Sequence, residues 1–500
     1  MQFRNQPRII DEKKQLSSFL LGSCQLKAIL NLFVAVLLLV TVLIGCATHT
    51  KRIANLRQSF HDGDLESARA EAEKLIDKNK RDAALVKLDQ SLVFLANAEP
   101  EKTEMILRQV RDQFAAHDPL APIGNVASFM VDDQSRPFQP DDYEQLFVLM
   151  YLAIANLVQD GDDAFAYANQ ITSLQADVER RIQQSRNRLK DQQAEQAHQS
   201  QLGHSSSARP SESLASHANE PAPLEFKQIA LAPYIGAIVH EETHRDYDSA
   251  ARYFAQVREF APTFQHAQSG WERAKNGHHS RQGNGVLYVF VGVGKGPYKI
   301  EKAEVPTSQA MLIADRILSA TGKQTLPPTV APIKTSRVVV PANTLQSIQV
   351  AIDDHAFGET ETITDLGQIA IQQNQAKHDS EMARAIVRRI VKKGAIYAGK
   401  DALDTQSHSW VDLLINVGGV LWEAAESADT RSWGLLPEKI QVLRVELPVG
   451  RHQLHLTAHG QAAGESFATD VEIRDGKNTY AYACFPTEKL AGKIAVSRPH

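Results

Sequence analysis

The pentapeptide His240-Glu241-Glu242-Thr243-His244 matches His-Glu-x-x-His, in which two histidines one helical turn apart share a zinc ion and the glutamate activates a water. Its context argues against that chemistry. A new apolar periodicity begins just after it, at Tyr247, Ala250 and Phe254, and stops at Pro262, so the pentapeptide closes one helix and His244 falls near a turn. Charged Glu242 and Arg245 flank the would-be ligands, and no glycine and third histidine follow at metzincin spacing. Glu259 and Glu272 are the nearest candidates for a third ligand, and neither has supporting context. The expectation is therefore no metal at His240 and His244, no cofactor, and no catalytic residue. A zinc-dependent hydrolase using His240, Glu241 and His244 is the rival reading.

Other stretches invite chemistry less strongly. Gly292-Val-Gly294-Lys295-Gly296 has the look of a phosphate loop, but Pro297 and an extended segment follow where a helix is required, and no Ser or Thr succeeds the lysine. It reads as a glycine-rich strand end. Asp429 and Arg431 stand at the spacing of a bidentate pair that fixes the loop before the last strands, with Trp433 packed beneath or the pair open to a ligand. Arg384, Arg388 and Lys392, with Arg389 and Lys393 beside them, give one helix a basic side opposite Met382, Ile386 and Ile390; a solvated face is the expectation.

The most informative chemistry is at the other end of the chain. Residues 28–44 are an apolar run preceded by Arg4, Arg8, Lys13, Lys14 and Lys27, and they finish on Leu43-Ile44-Gly45-Cys46. This is the pattern of a bacterial lipobox, which implies a diacylglycerol on the Cys46 thiol, cleavage of the signal before it and acylation of the new amino group; an uncleaved membrane anchor over 28–44 is the rival reading. Each buried methylene contributes roughly 0.8 kcal/mol, so three chains hold a protein far more firmly than one. By resemblance to known bacterial lipoproteins, Ala47 in place of an aspartate implies the outer membrane, facing the periplasm. Cys24 leaves with the signal and Cys46 is lipidated, so Cys484 stands alone, without a disulfide or a thiol cluster.

A net charge of -5 and pI near 6.4 give no support to nucleic-acid binding, and 43% hydrophobic and 23% charged residues are ordinary for globular chains. From residue 53 to about 113 the periodicity is helical, a loop opened by Pro119 and Pro122 and closed by Pro137 and Pro140 follows, and a further pair runs from 143 to 158 and from 164 onward, with turns such as Gly63-Asp64 and Gly161-Asp162 between helices. Residues 203–223, with three serines in a row and Pro210 and Pro221, read as a linker. After Gly277 strands take over: 286–291, 298–305, 337–340, 345–352, then 440–447, 451–458, 467–473 and 479–485, with helices at 363–398, broken near Asp379, and at 409–427. The fold class expected is a multidomain α+β chain. Its parts are a signal peptide (1–45), helical pairs (46–190), a polar linker (191–224), a further pair (225–280), and an α+β domain (284–500) rich in antiparallel sheet.

Helix pairs with a Gly-Asp turn and a nearby alanine resemble the tetratricopeptide repeat. Tyr247, Ala250, Phe254 and Pro262 match that repeat's turn tyrosine, close-packed alanine, aromatic plug and terminating proline. Gly285-Val-Leu-Tyr-Val-Phe, Ala428-Asp-Thr-Arg-Ser-Trp433, Leu435-Leu-Pro437 and Leu447-Pro-Val-Gly450-Arg-His452, together with the lipobox, resemble a family of uncharacterised bacterial envelope lipoproteins with tetratricopeptide-like repeats. The family brings no established reaction, substrate or catalytic residue. Together these readings imply a lipid-anchored scaffold or adaptor. It would hold an unidentified envelope protein on the concave surface of stacked helix pairs and would be tied to the membrane by its lipid. A component of envelope-polymer assembly or export is a further alternative.

Overall fold

The computed structural model describes residues 49–115, 138–159, 161–202, 228–320, 331–402, 427–460 and 463–498. The signal, Cys46, the segment 203–227 and the expected helix at 409–427 lie outside the described residues. The described residues all belong to one compact unit, His49–Thr405 with Ser427–His500.

The amino-terminal half is helical: α1 (His49–Arg52), α2 (Ala54–His61), α3 (Leu65–Lys78), α4 (Ala83–Ala96), α5 (Pro100–Ala115), α6 (Asp142–Gln159), α7 (Ala164–Leu202), α8 (Leu231–Glu242), α9 (Tyr247–Phe260) and α10 (Gln265–Lys275). From α2 onward each helix packs on the next in chain order. Four hairpin turns share one device, a residue in the left-handed region that ends the first helix: Gly63 (φ 81°), Ala98 (φ 61°), Gly161 (φ 79°) and His244 (φ 56°). At two of them an aspartate then caps the next helix, Asp64 accepting from Ser67 N at 3.0 Å and Asp246 from Ser249 N at 3.3 Å. The Gly-Asp pair read from the sequence is thus a helix stop followed by a helix start.

The helices fall into two layers. α4, α6 and α8 are buried nearly all round, whereas α3, α5 and α9 bury one face and turn a charged one to solvent. What covers the inner helices is the rest of the chain. Strands β1 (Asn284–Val293), β6 (Glu361–Asp365), β7 (Lys439–Pro448), β10 (Asn478–Phe485) and β11 (Ala495–Val496) form one sheet in the order β11-β10-β1-β7-β6. A second sheet runs β5 (His355–Glu359), β4 (Ser347–Ile352), β8 (Gly450–His459), β9 (Ala463–Ile473). Alternation along β1 decides the layering. Leu287, Val289 and Val291 point to Ile348, Val350, Leu454 and Leu456 of the second sheet, while Val286, Tyr288 and Phe290 point into the helical core. The stack is sheet, sheet, inner helices, outer helices, with two cores sharing the first sheet.

A third, smaller cluster joins α11 (Ser308–Ala320) and α12 (Leu366–Ala402) beside the ribbon of β2 (Tyr298–Glu304) and β3 (Ile333–Val339). The mixed α+β class stands, with helices mostly amino-terminal and sheets largely antiparallel. Details differ. β1 and β10 pair in parallel, because the helical half and the second sheet take up the two faces and β10 returns beside β1 after crossing from β9. The helix expected over 363–398 begins later, since 361–365 is strand β6, and it is not broken at Asp379: that carboxylate accepts from Thr307 Oγ1 at 2.6 Å and so satisfies itself outside the helix. Among the described residues no helix is long and apolar enough to cross a membrane.

Candidate functional site

The His-Glu-x-x-His residues are not brought together. α8 ends at Glu242, and His244 lies beyond it with φ 56°, in the position that Gly63 and Gly161 occupy in their turns. His244 Nε2 sits 2.7 Å from the Gly476 carbonyl oxygen, and its ring meets that of His279 at 4.8 Å. His240 stacks on Tyr253 at 5.6 Å and places Nδ1 2.9 Å from Asp246 Oδ2. Glu241 is wholly buried on another side, accepting from Arg273 Nε at 3.0 Å and from Tyr288 O–H at 3.4 Å. Three residues thus have three separate tasks: stacking, closing a turn and neutralising a buried arginine. Among the described residues no group of three or more His, Cys, Asp or Glu side chains is arranged to hold a metal ion.

The repeat-like positions of the next helix are packed as their sizes dictate. Ala250 and Phe254 are fully buried, Tyr247 hydrogen-bonds toward His244 Nδ1 at 3.3 Å, and exposed Pro262 follows the helix end. Phe254 fills the space left by Gly270, where an added Cβ would lie 2.4 Å from the ring. Tyr234, at the start of α8, meets the rings of Phe254 and Phe264 on one side and Tyr288 and Phe290 of β1 on the other.

Residues 427–438 form a strap between helices and sheet, and here the polar chemistry is concentrated. Arg431 holds Asp429 in a fork, Nε to Oδ1 at 2.9 Å and Nη2 to Oδ2 at 2.7 Å, and reaches Asp82 at 3.4 Å. Trp433 is fully buried, 5.7 Å from the Tyr151 ring. Two acids missed in the sequence hold the strap's backbone. Asp89 Oδ1 accepts from Gly434 N at 2.8 Å and Leu435 N at 2.9 Å, and Glu144 Oε1 accepts from Trp433 N at 2.9 Å. Both are fully buried, and burial pushes each carboxyl up to about 7. Beneath them Lys299 Nζ pairs with Asp141 at 2.7 Å; burial opposes its charge, yet Asp141, Tyr143 and Glu144 hold it well above the usual lysine range. Gly434 is required for contact: a Cβ there would lie 2.4 Å from Ile53 Cδ1. The available signal was the acid Asp89 among the apolar residues of α4; Glu144, in the first turn of α6 beside Asp142, carried none.

The remaining candidates resolve into packing. Gly294 and Gly296 let the strap approach, since Cβ atoms there would lie 2.9 Å from Glu438 Oε2 and 2.1 Å from the Leu436 oxygen. On the basic helix Arg388 is buried, Arg389 donates to the carbonyls of Ala331 and Pro332, and Met382 and Ile386 pack on α11. Ser347, His459 and Glu359 meet on the second sheet, but the serine hydroxyl donates to Glu359 at 2.5 Å and the imidazole contacts the same carboxylate through Nδ1 at 3.1 Å. That is not the serine–histidine–acid relay of a nucleophile, because the hydroxyl donates to the carboxylate while the imidazole nitrogen lies 3.5 Å from the serine oxygen.

No family model, curated protein or solved structure matches this chain.

Proposed function

We propose that the chain is a lipid-anchored scaffold or adaptor of the bacterial envelope, tethered at Cys46 to the outer membrane and facing the periplasm. The observation that carries this reading is the packing of each helix from α2 to α10 on the next, with alternate connections (α2–α3, α4–α5, α6–α7 and α8–α9) made by hairpins of one kind. One part of the sequence expectation changes. The inner side of the helical layer is filled by the chain's own sheet, through Tyr482 against Tyr151 and Tyr288 against Tyr234. Partner proteins therefore meet the outer helices or the outer face of the second sheet.

The lipobox motivates the anchor, and the charged outer faces of α3, α5 and α9 motivate a protein partner. Mass spectrometry of protein purified from membranes is expected to give an acylated terminus at Cys46, absent in Cys46→Ala. Affinity capture from solubilised membranes is expected to enrich a defined envelope protein with the wild type and to lose it with Cys46→Ala. An unmodified terminus at Met1 in the mature protein, or one zinc per chain with hydrolysis lost on Glu241→Gln, would overturn the reading.

A further inference from the structure

The carboxy-terminal ends of α6 and α8, the β9–β10 turn and residues 497–498 enclose a cleft of about 370 Å³. It is built from four segments far apart in the chain, and it carries charge of both signs. On one side stand Glu242 and Asp162 with the carboxy-terminal ends of two helices, the negative poles of their dipoles. On the other stand Arg474, Lys477 and Arg498.

The two sides are unequally satisfied from within. Arg498 pairs with Glu101 at 2.5 Å, and Arg474 lies 3.6 Å from Glu472. The Lys477 ammonium, exposed at the turn, makes no ion pair or side-chain hydrogen bond among the described residues; its backbone N–H donates to the Arg474 oxygen at 3.1 Å. Glu242 accepts from Asn478 N at 3.0 Å and Asn478 Nδ2 at 3.2 Å, one bond on each oxygen, and has no cation within ion-pair distance. Each carboxylate oxygen can accept a second hydrogen bond. Burial pushes this carboxyl up from its ordinary range, with Asn478 and Lys477 acting the other way, as expected of an acid whose charge is incompletely compensated.

A lone anion entering the cleft would face two helix carboxy-termini and acidic side chains, and a lone cation would face three basic ones. A molecule bearing both charges satisfies both sides. The volume lies near the lower end for small-ligand pockets, which suits a compact ligand and not a long peptide. We infer that this cleft binds a small zwitterion of the α-amino acid class, its ammonium against Glu242 and its carboxylate against Lys477 and Arg474. The site is independent of the scaffold reading.

The test is calorimetric titration of the detergent-solubilised full-length protein with each of the common L-amino acids and with unblocked dipeptides, alongside their N-acetylated and C-amidated forms. The expected result is saturable one-to-one binding of at least one unblocked ligand. Blocking either end, or introducing Lys477→Ala, is expected to weaken it about tenfold or more, as for loss of one charge-assisted contact. Glu242→Gln should have the same effect as N-acetylation. Lys477→Ala keeps the measurement decisive if Glu242→Gln disturbs the fold, because Lys477 is exposed and its internal hydrogen bonds are made by its backbone, which the substitution keeps. Absence of any saturable binding to folded wild-type protein, equal binding of the blocked forms, or binding unchanged by Lys477→Ala would overturn the assignment.

Discussion

Asp89 shows at the scale of a single residue what holds the strap in place. Two backbone N–H groups, of Gly434 and Leu435, donate to one of its oxygens inside a dry core. Asp89→Ala strands both donors, and each unsatisfied buried group costs about 1–3 kcal/mol, so a loss of roughly 2–4 kcal/mol is expected in denaturant unfolding. Asp89→Asn keeps the accepting oxygen and removes the charge, and is expected to be much milder. The two variants also separate pH effects. Asp89 and Glu144 titrate at about 7 in the fold, above the ordinary carboxyl range, so the stability they contribute is complete below about 4 and is lost as pH rises through 7. His49, His61 and His279 are depressed to about 4 by burial, so what they contribute is present above about 6.5 and lost as pH falls through 4. These trends oppose each other over one window. Asp89→Asn removes part of the first, so its stability relative to wild type should rise steadily from pH 4 to pH 7. A relative stability flat across that range would contradict the assignment.

At the scale of elements, the hairpins make separable predictions. Ala98 is exposed and carries φ 61° between α4 and α5, where the equivalent turns use Gly63 and Gly161. A left-handed conformation costs a non-glycine residue roughly 1–2 kcal/mol, partly offset by the greater freedom of an unfolded glycine, so Ala98→Gly should stabilise by up to about 1 kcal/mol. Destabilisation would mean that the turn is held by the methyl group instead. Ala250 is fully buried at a helix contact, and Ala250→Leu is expected to overpack it, costing roughly 1–3 kcal/mol in thermal or denaturant unfolding. A melting profile matching wild type would remove the register proposed for α8 and α9. These elements were legible because their signals are local: the Gly-Asp turns and the apolar run of β1 depend on neighbours in the chain. The parallel pairing of β1 with β10 was not, since alternation says which face a residue takes and nothing about which strand lies beside it. The acids of the strap were hidden for a similar reason. Asp89 looks like an exception in an apolar helix until its partner, 345 residues later, is placed against it.

At the scale of the whole molecule, the inner helices carried a message that was legible but incomplete. α4, α6 and α8 are apolar on nearly every side, which a one-sided helical array does not require; an apolar exposed face has to be covered, and here a five-stranded sheet covers it. The cover leaves the outer helices and the second sheet as the surfaces on which a scaffold acts. Site-specific photo-cross-linking in living cells tests this most directly, with the reactive group placed in turn at exposed Glu73 on α3, Asp112 on α5, Ala255 on α9 and Gln453 on β8. The account predicts a discrete cross-linked envelope protein from at least one of these faces, dependent on Cys46. Cross-linking to no partner from any of the four positions, in cells where the lipidated protein is present at its normal level, would contradict it.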